Sequence, residues 1–172
     1  MMDRQNSLLI NNADSINDVV ERYSSLIYKI ARSNLRDVHD ADDIYQDVFL
    51  RYISKPRTFE SEEHRKAWFI RVTINCCNSF FTSSWRKKTM SLEDEEIKEE
   101  DLVFEDDNHK EIREAVMSLP DKLKNTVILF YFENMSISEI AKAMRTTEAS
   151  VKMRLMRARK ALKLDLEGGE EK

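Results

Sequence analysis

The strongest concentration of positive charge lies in residues 150–163, SVKMRLMRARKALK, which include no acidic side chain. Arginine and lysine bind phosphates and guanine edges, and methionine can contact the methyl group of thymine. Apolar residues at helical spacing predict a helix with this buried stripe: Val151, Leu155, Ala158 and Leu162. The opposite side would be mostly basic: Lys152, Met153, Met156, Arg157 and Lys160, with Arg154 and Arg159 on the flanks. A basic helix alone is usually a solvated surface, so its context decides the interpretation.

The context predicts a helix-turn-helix motif. One helix is expected to end at Pro120, and another runs from a cap at Asp121 to about residue 133. A short helix follows, capped by Ser136 or Ser138. After a tight turn, the long basic helix begins. The second helix of such a motif enters the major groove, so the pattern predicts binding to duplex DNA, weak and salt-dependent for this part alone.

A second candidate surface is acidic. Apolar residues after a cap at Asp40 predict a helix that buries one side: Ala41, Ile44, Tyr45, Val48, Phe49 and Tyr52. The other side carries four residues at positions i, i+3, i+4 and i+7: Asp43, Gln46, Asp47 and Leu50. Such a stripe is either a solvated helix surface or a docking face for a protein partner. The exposed leucine leaves the two alternatives equally supported.

A third candidate surface combines aromatic, amide and cationic side chains on a helix predicted over about residues 63–81. Its buried side is expected to hold Ala67, Ile70, Ile74, Cys77 and Phe81, and its other faces Trp68, Phe69, Arg71, Asn75 and Asn78. Single-stranded DNA is bound by aromatic rings that stack on bases and cations that hold phosphates. Aromatic residues at helical spacing are more often core, so composition alone leaves both possibilities open.

Composition predicts helices as the elements that position these surfaces. The 172 residues include only two Gly and two Pro, which are too few for the tight turns of a strand-rich fold. We therefore expect an all-α protein. A first helix would begin after a cap at Ser15, with apolar residues from Ile16 to Ala31 facing the core. The long basic helix would be capped by Thr146 or Thr147.

The charge is unevenly distributed along the chain, whose net charge is −4. Residues 1–88 carry 14 basic and 12 acidic side chains, residues 89–114 carry 3 and 12, and residues 115–172 carry 11 and 8. This distribution predicts two small folded units joined by an acidic linker. The linker is either a solvated spacer or a segment that lies in a basic channel of a partner.

Several functional classes find no support in the sequence. No apolar run is long enough to span a membrane, and the N-terminal residues do not resemble a signal peptide. Cys76 and Cys77 are adjacent, which disfavours a disulfide and indicates a reducing, cytoplasmic location. The three histidines lack metal-ligand spacing. No phosphate-binding loop or nucleophile motif occurs, so we expect no enzyme, no metal, no cofactor and no small-molecule substrate.

Three motifs in register resemble the extracytoplasmic-function sigma factors of bacterial RNA polymerase. They are ADDIYQDVFLRYI (41–53), KAWFIRVTINCCNSF (66–80) and LPDKLKNTVILFYFENMSISEIAKAM with SVKMRLMRARKAL (119–162). The resemblance implies a sigma region 2 domain over residues 1–88, an acidic linker over 89–110 and a region 4 domain over 111–172. It implies binding to core polymerase and promoter DNA rather than catalysis.

The resemblance also implies roles for individual residues. Asp43, Gln46, Asp47 and Leu50 would dock on the clamp coiled coil of the polymerase β′ subunit. The unwound −10 element would be met by Arg51, Phe59, Arg71, Asn75, Arg86, Lys87 and Lys88, with Phe59 on the loop that reads an extruded base. The −35 element would be met by Lys152, Met153, Arg154, Met156, Arg157 and Arg159. Further expected contacts are the β flap and an anti-sigma factor, for which the apolar faces of both units are natural targets.

Two other functional classes are weighed against this interpretation. A stand-alone helix-turn-helix regulator would need a ligand-sensing pocket, and no polar cluster in the first unit is suited to line one. A helical adaptor that binds only proteins would not need the basic final helix. The acidic stripe and the aromatic–amide helix favour the sigma factor over both.

Overall fold

A computed structural model describes residues 14–82 and 110–169. The side chains of Phe81, Lys110 and residues 164–169 lie outside this description, as do Arg86, Lys87, Lys88 and nearly all of the predicted linker. The chain divides into two compact units between residues 97 and 98. The predicted domain boundaries at 88 and 111 therefore stay predictions.

All regular secondary structure in the described residues is helical, which confirms the expected all-α class. In the first unit the helices are α1 (Ile16–Asn34), α2 (Val38–Ser54) and α3 (Glu62–Thr82). In the second unit they are α4 (Lys110–Met117), α5 (Asp121–Val127), a π-helical turn (Ile128–Phe132), α6 (Ile137–Ala143) and α7 (Glu148–Gly169). None of the helices within these described ranges is long and apolar enough to cross a membrane.

The first unit is a three-helix bundle in which α1, α2 and α3 all contact one another. Ser15 and Asp18 form a reciprocal capping box that begins α1 where the sequence predicts. Most of the predicted stripe of α1 is buried, but Val20 is only partly buried and Ile16 is 51% exposed. Ile16 lies in the first turn and lines an open cavity of 310 Å³ instead of packing beneath α2.

Two further predictions for the first unit are wrong in detail. The cap of α2 is Asp37, whose carboxylate accepts from the backbone N–H of His39 at 2.7 Å, and Asp40 lies inside the first turn. Phe69, expected on an outer face of α3, is fully buried. Because α1 and α2 both pack on α3, its buried surface is wider than one stripe. The Phe69 ring stacks on Tyr23 at 4.5 Å and lies 5.8 Å from the ring of Phe49.

A buried arginine ties the start of α1 to the start of α3. Arg65 is fully buried, and its Nη2 lies 2.5 Å from Asp14 Oδ2 and also pairs with Glu62. Tyr23 donates its hydroxyl proton to Glu62 Oε2 at 2.6 Å. The hydrogen bond from Arg65 lowers the pKa of Asp14 below its ordinary value of 3.8, although desolvation opposes the shift. Arg22 joins the same carboxylates from the surface, with its side chain 45% exposed.

The second unit is organised around α7, which packs against α4, α5 and α6. Its core contains Val116, Leu119, Val127 and Ala158, with Leu123, Ala161 and Leu162 partly buried around them. Pro120, rather than Asp121, occupies the cap position of α5, so Asp121 is the first helical residue. Its carboxylate still favours the positive end of the helix. The helix predicted to run to residue 133 changes to π-helical geometry at Ile128.

The Arg65 cluster generates a stability prediction. Arg65→Met should lower the free energy of unfolding of the first unit by about 1.5–3 kcal/mol, because it removes the charge-assisted hydrogen bond that the fully buried guanidinium makes to Asp14. Both tryptophans, Trp68 and Trp85, belong to the first unit, so their fluorescence during urea unfolding reports on it selectively.

The matched control is Arg22→Met, which removes the exposed arginine from the same two carboxylates. It should cost less than about 1 kcal/mol, since exposed ion pairs are screened by water. Equal effects of the two substitutions would contradict the assignment of Arg65 as the structural member.

Candidate partner and nucleic-acid interfaces

The predicted acidic stripe of α2 faces solvent. Burial of Ala41, Ile44, Val48 and Phe49 on the inner side turns the stripe outward. Asp43 and Gln46 are exposed, Leu50 is 63% exposed, and the Asp47 side chain is 44% exposed. An apolar side chain at this exposure, one turn from the Asp47 carboxylate, suits a protein surface that offers a basic group beside an apolar contact.

Asp47 also makes contacts within the protein. Its Oδ2 accepts from Arg51 Nε at 3.0 Å, one turn further along α2, and from the thiol of Cys76 on α3 at 3.4 Å. Arg51, predicted as a DNA contact, is 55% exposed and in this conformation is paired with the predicted docking residue. Sequence reasoning missed the role of Cys76, because nothing in a single sequence shows which turn of α3 faces Asp47.

Both cysteines are buried and unbridged. Desolvation raises the pKa of the Cys76 thiol from 9.0 to about 12; nearby Arg51 lowers it, and Asp47 adds to the rise. The thiol is therefore protonated at neutral pH and donates to Asp47. A protonated, buried thiol reacts slowly, which disfavours a redox role for Cys76.

The candidates for −10 contact differ in exposure. Asn75 is exposed on α3, and Arg71 is half-buried with an interaction inside the protein. Phe59 is only 3% exposed, and its ring lies parallel to Tyr52 at 6.3 Å and edge-on to Trp68 at 6.0 Å. In this conformation the Phe59 ring holds the loop in place and leaves no open face for a base.

The loop that contains Phe59 also carries Arg57, a cation that the sequence pattern did not indicate as functional. The guanidinium of Arg57 lies 4.6 Å from the centre of the Trp68 ring, and Arg57 also lines the open cavity beside Lys55. A cation held over an aromatic ring is an arrangement that nucleic-acid-binding proteins use. Its signal in the sequence was weak, since one arginine in a polar loop is common.

The helix-turn-helix is built from α6 and α7. Ser136, rather than Ser138, caps α6 and forms a capping box with Glu139. The turn places Arg145 in the left-handed region (φ 50), and the N–H of Thr146 donates to Ala141 O at 2.9 Å. Thr147, rather than Thr146, caps α7, because its hydroxyl accepts from the N–H of Ser150 at 3.1 Å.

The second helix of this motif, α7, presents the predicted basic face. Its predicted buried stripe is confirmed: Val151, Leu155 and Ala158 are at most 2% exposed, and Leu162 is partly buried. The opposite side is exposed as predicted: Lys152, Met153, Met156, Arg157 and Lys160. These side chains are available to a groove of DNA.

The two flanking arginines have internal partners. Arg159 Nε donates to the hydroxyl of Tyr131 at 2.7 Å, and Arg154 Nη1 lies 3.9 Å from the sulfur of Met144. Each contact uses one nitrogen of the guanidinium and so restricts the orientation of the side chain. Tyr131 was missed because it lies 28 positions away in the π-helical turn, whose irregular register the apolar pattern does not reveal.

None of the residues described, 14–82 and 110–169, forms a cluster of His, Cys, Asp and Glu suited to a metal ion. The interfaces identified above are surfaces for binding, formed from charged and apolar side chains on helices.

Models of known protein families match both units of the chain. The family model described as Sigma-70 region 2 matches residues 19–87, and that described as Sigma-70, region 4, matches residues 109–162. The RNA polymerase sigma factor SigV of Bacillus subtilis is 31% identical over 144 residues, covering 81% of this chain and 83% of SigV. The ECF RNA polymerase sigma factor SigW of the same organism is 26% identical over 89% of both chains.

Solved structures show the same fold. The sigma factor RpoE of Bartonella quintana, solved with the anti-sigma factor NepR, matches with a TM-score of 0.72 at 19% identity. The match covers 88% of this chain and 96% of RpoE. CnrH, solved with the cytosolic domain of CnrY, matches with a TM-score of 0.63, covering 96% and 97% of the two chains.

The environment of Cys76 generates a reactivity prediction. In the variant Cys77→Ala, which isolates one thiol, iodoacetamide at pH 8 should label Cys76 far more slowly in the native protein than in urea. Raising the pKa from 9.0 to about 12 lowers the thiolate fraction about a thousandfold, and burial slows access further. Labelling should accelerate as pH rises toward 12. Equal labelling of native and unfolded protein, measured by mass spectrometry, would contradict the assigned environment.

Proposed function

The chain belongs to the extracytoplasmic-function sigma factors of the sigma-70 family, and we propose that its two units recognise different promoter elements. The protein is a bacterial alternative sigma factor that binds core RNA polymerase and directs transcription initiation. The proposed domains are region 2 over residues 1–88, an acidic linker over 89–110 and region 4 over 111–172. The observation that supports this division is that opposite charges lie on separate helices. The exposed stripe of α2 is acidic, and the exposed face of α7 is basic.

The docking stripe Asp43, Gln46, Asp47 and Leu50 is proposed to bind the clamp coiled coil of the β′ subunit. Leu50 supplies apolar area at one end of the stripe, where exclusion of water strengthens the neighbouring charge pair of Asp47. The carboxylates meet basic groups of the partner and fix the orientation of docking. Most of the binding free energy is then expected from Leu50 and Asp47.

The melted −10 element is proposed to lie along α3 and the loop before it. Asn75 offers an amide to base edges, while Arg51 and Arg71 provide positive charge. Phe59 is proposed to act by shaping the loop that receives an extruded base, since its own ring is buried. Arg86, Lys87 and Lys88 remain proposed phosphate contacts.

The −35 element is proposed to be read by α7 in the major groove. Lys152, Met153, Met156 and Arg157 face base edges and thymine methyl groups, in keeping with their exposure. Arg154 and Arg159 flank this set and bind backbone phosphates. The Tyr131 hydroxyl holds Arg159 ready for that contact, which lowers the entropy lost when the side chain binds.

The polymerase is proposed to make two weak DNA contacts act as one strong contact. When core polymerase holds both domains at the spacing of the promoter elements, the second contact becomes effectively intramolecular. The acidic linker would follow the basic path toward the RNA exit channel, and the β flap would hold region 4. The protein would act in the cytoplasm by binding rather than catalysis, and an anti-sigma factor is a proposed regulator.

A charge reversal tests the docking stripe. Asp47→Arg should weaken binding to core polymerase by more than about 50-fold, because it places a cation against the basic partner surface. Asp43→Arg should act in the same direction and leave the fold intact, because the Asp43 side chain is exposed. Affinity is measured with fluorescent protein and purified core enzyme.

The matched control is Glu21→Arg, the same reversal on the exposed surface of α1, which should bind core polymerase like the original protein. Normal core binding by folded Asp47→Arg and Asp43→Arg would remove these residues from the docking surface.

Removal of one side chain tests the proposed base contacts of α7. Arg157→Ala should lower holoenzyme affinity for a promoter by about 5- to 150-fold through the −35 element and relax preference at one base pair, because a bidentate contact is worth about 1–3 kcal/mol. Core binding should stay unchanged. The measurement is competition between promoters that carry single −35 substitutions.

The control is Lys122→Ala, which removes an exposed cation from α5 outside the proposed DNA face. Unchanged promoter preference with Arg157→Ala would exclude Arg157 from base recognition.

A further inference from the structure

Asp47 differs from the rest of the docking stripe in how it is held. Within the described residues, Asp43, Gln46 and Leu50 extend into solvent without a side-chain hydrogen bond, whereas Asp47 accepts two. Both donors converge on Oδ2, which leaves Oδ1 directed away from them for a partner's donor. The rotamer of the Asp47 carboxylate is therefore fixed before any partner arrives.

The two donors are not equivalent. Arg51 is 55% exposed on the same helix, so water and salt compete with its contact to Asp47. Cys76 is 3% exposed and belongs to α3, so its thiol approaches Asp47 from the protein interior. Because burial keeps the thiol protonated, it serves as a donor at physiological pH and does not become an anion beside the carboxylate. The contact from Cys76 is thus the one of the two that is better shielded from water and salt.

We propose that Cys76 is a positioning residue that orients the carboxylate of Asp47 for docking on core RNA polymerase. The proposal rests on the proposed function, in which Asp47 contacts the clamp. Ordering a side chain at an interface costs free energy that a preset rotamer avoids. Cys76 immediately follows Asn75, so the same contact joins the docking stripe on α2 to the proposed −10 surface on α3.

The test is a double-mutant cycle read out as affinity for purified core polymerase, using the full-length protein. Cys76→Ala should weaken binding by about three- to tenfold, the range expected for one net hydrogen bond. In an Asp47→Ala background the same substitution should have no further effect, because the carboxylate that Cys76 orients is absent. Cys76→Ser, which restores a donor of similar size, should recover part of the loss.

Two controls separate positioning from general loss of packing. Cys77→Ala removes the adjacent buried thiol, about 100° further around the helix, and should change core affinity less than twofold. Tryptophan fluorescence during urea unfolding gives the folded fraction of each variant, and affinities are compared per folded molecule. A role in packing alone would lower stability without producing coupling to Asp47.

The outcomes distinguish this inference from the function on which it rests. If Asp47→Ala weakens core binding and Cys76→Ala does not, the positioning role is overturned and the docking surface stands. If Cys76→Ala has the same effect in both backgrounds, the thiol acts independently of Asp47 and the inference is again overturned. If Asp47→Ala itself leaves core affinity unchanged, the docking assignment fails and the inference fails with it.

Discussion

Burial of one side of each helix determines which side chains remain for partners. In α7 the side packed on the second unit carries Val151, Leu155 and Ala158, so most of its arginines and lysines face solvent. In α2, burial of Ala41 and Val48 turns the acidic stripe outward in the same way. The chain thus presents opposite charges to two partners, with a net charge of only −4. Placing opposite charges on separate helices lets one chain offer a negative surface to one partner and a positive surface to a polyanion.

The core also controls the details of those surfaces. Phe69 lies between α1 and α2 and keeps α3 in the register that brings Cys76 under Asp47. Arg65, near the beginning of α3, pairs with Asp14 just before α1 and so connects the beginnings of the two helices. In the second unit, Tyr131 holds Arg159 from outside the helix-turn-helix itself. Residues remote from the partners therefore decide where the contacting groups point.

Periodicity predicted most of the architecture and the outward faces, because a buried stripe leaves a clear signal at 3.6-residue spacing. It predicted the buried side of α7 and the stripe of α2 at the level of single residues. Periodicity failed at Phe69, because α3 packs against both α1 and α2 and therefore has no single apolar stripe. It also failed at Ile16, which lies in the first turn of α1 and remains exposed. Cap positions were ambiguous where two candidates lay close together in the sequence, as with Ser136 and Ser138. The choice depends on which side chain accepts a hydrogen bond from a backbone N–H of the first turn, and the sequence does not show this.

Contacts between distant residues could not be predicted from one sequence. The bonds from Cys76 to Asp47 and from Tyr131 to Arg159 depend on how helices rotate against each other. The burial of Phe59 likewise depends on the aromatic packing of its loop against Tyr52 and Trp68.

The most direct test of the account is transcription by purified core RNA polymerase on a library of promoter fragments, with and without this protein, followed by mapping of the transcript starts. The account predicts starts that depend on the protein and that share two sequence elements, centred near −35 and −10. Starts that are the same with and without the protein would contradict its assignment as a promoter-directing sigma factor.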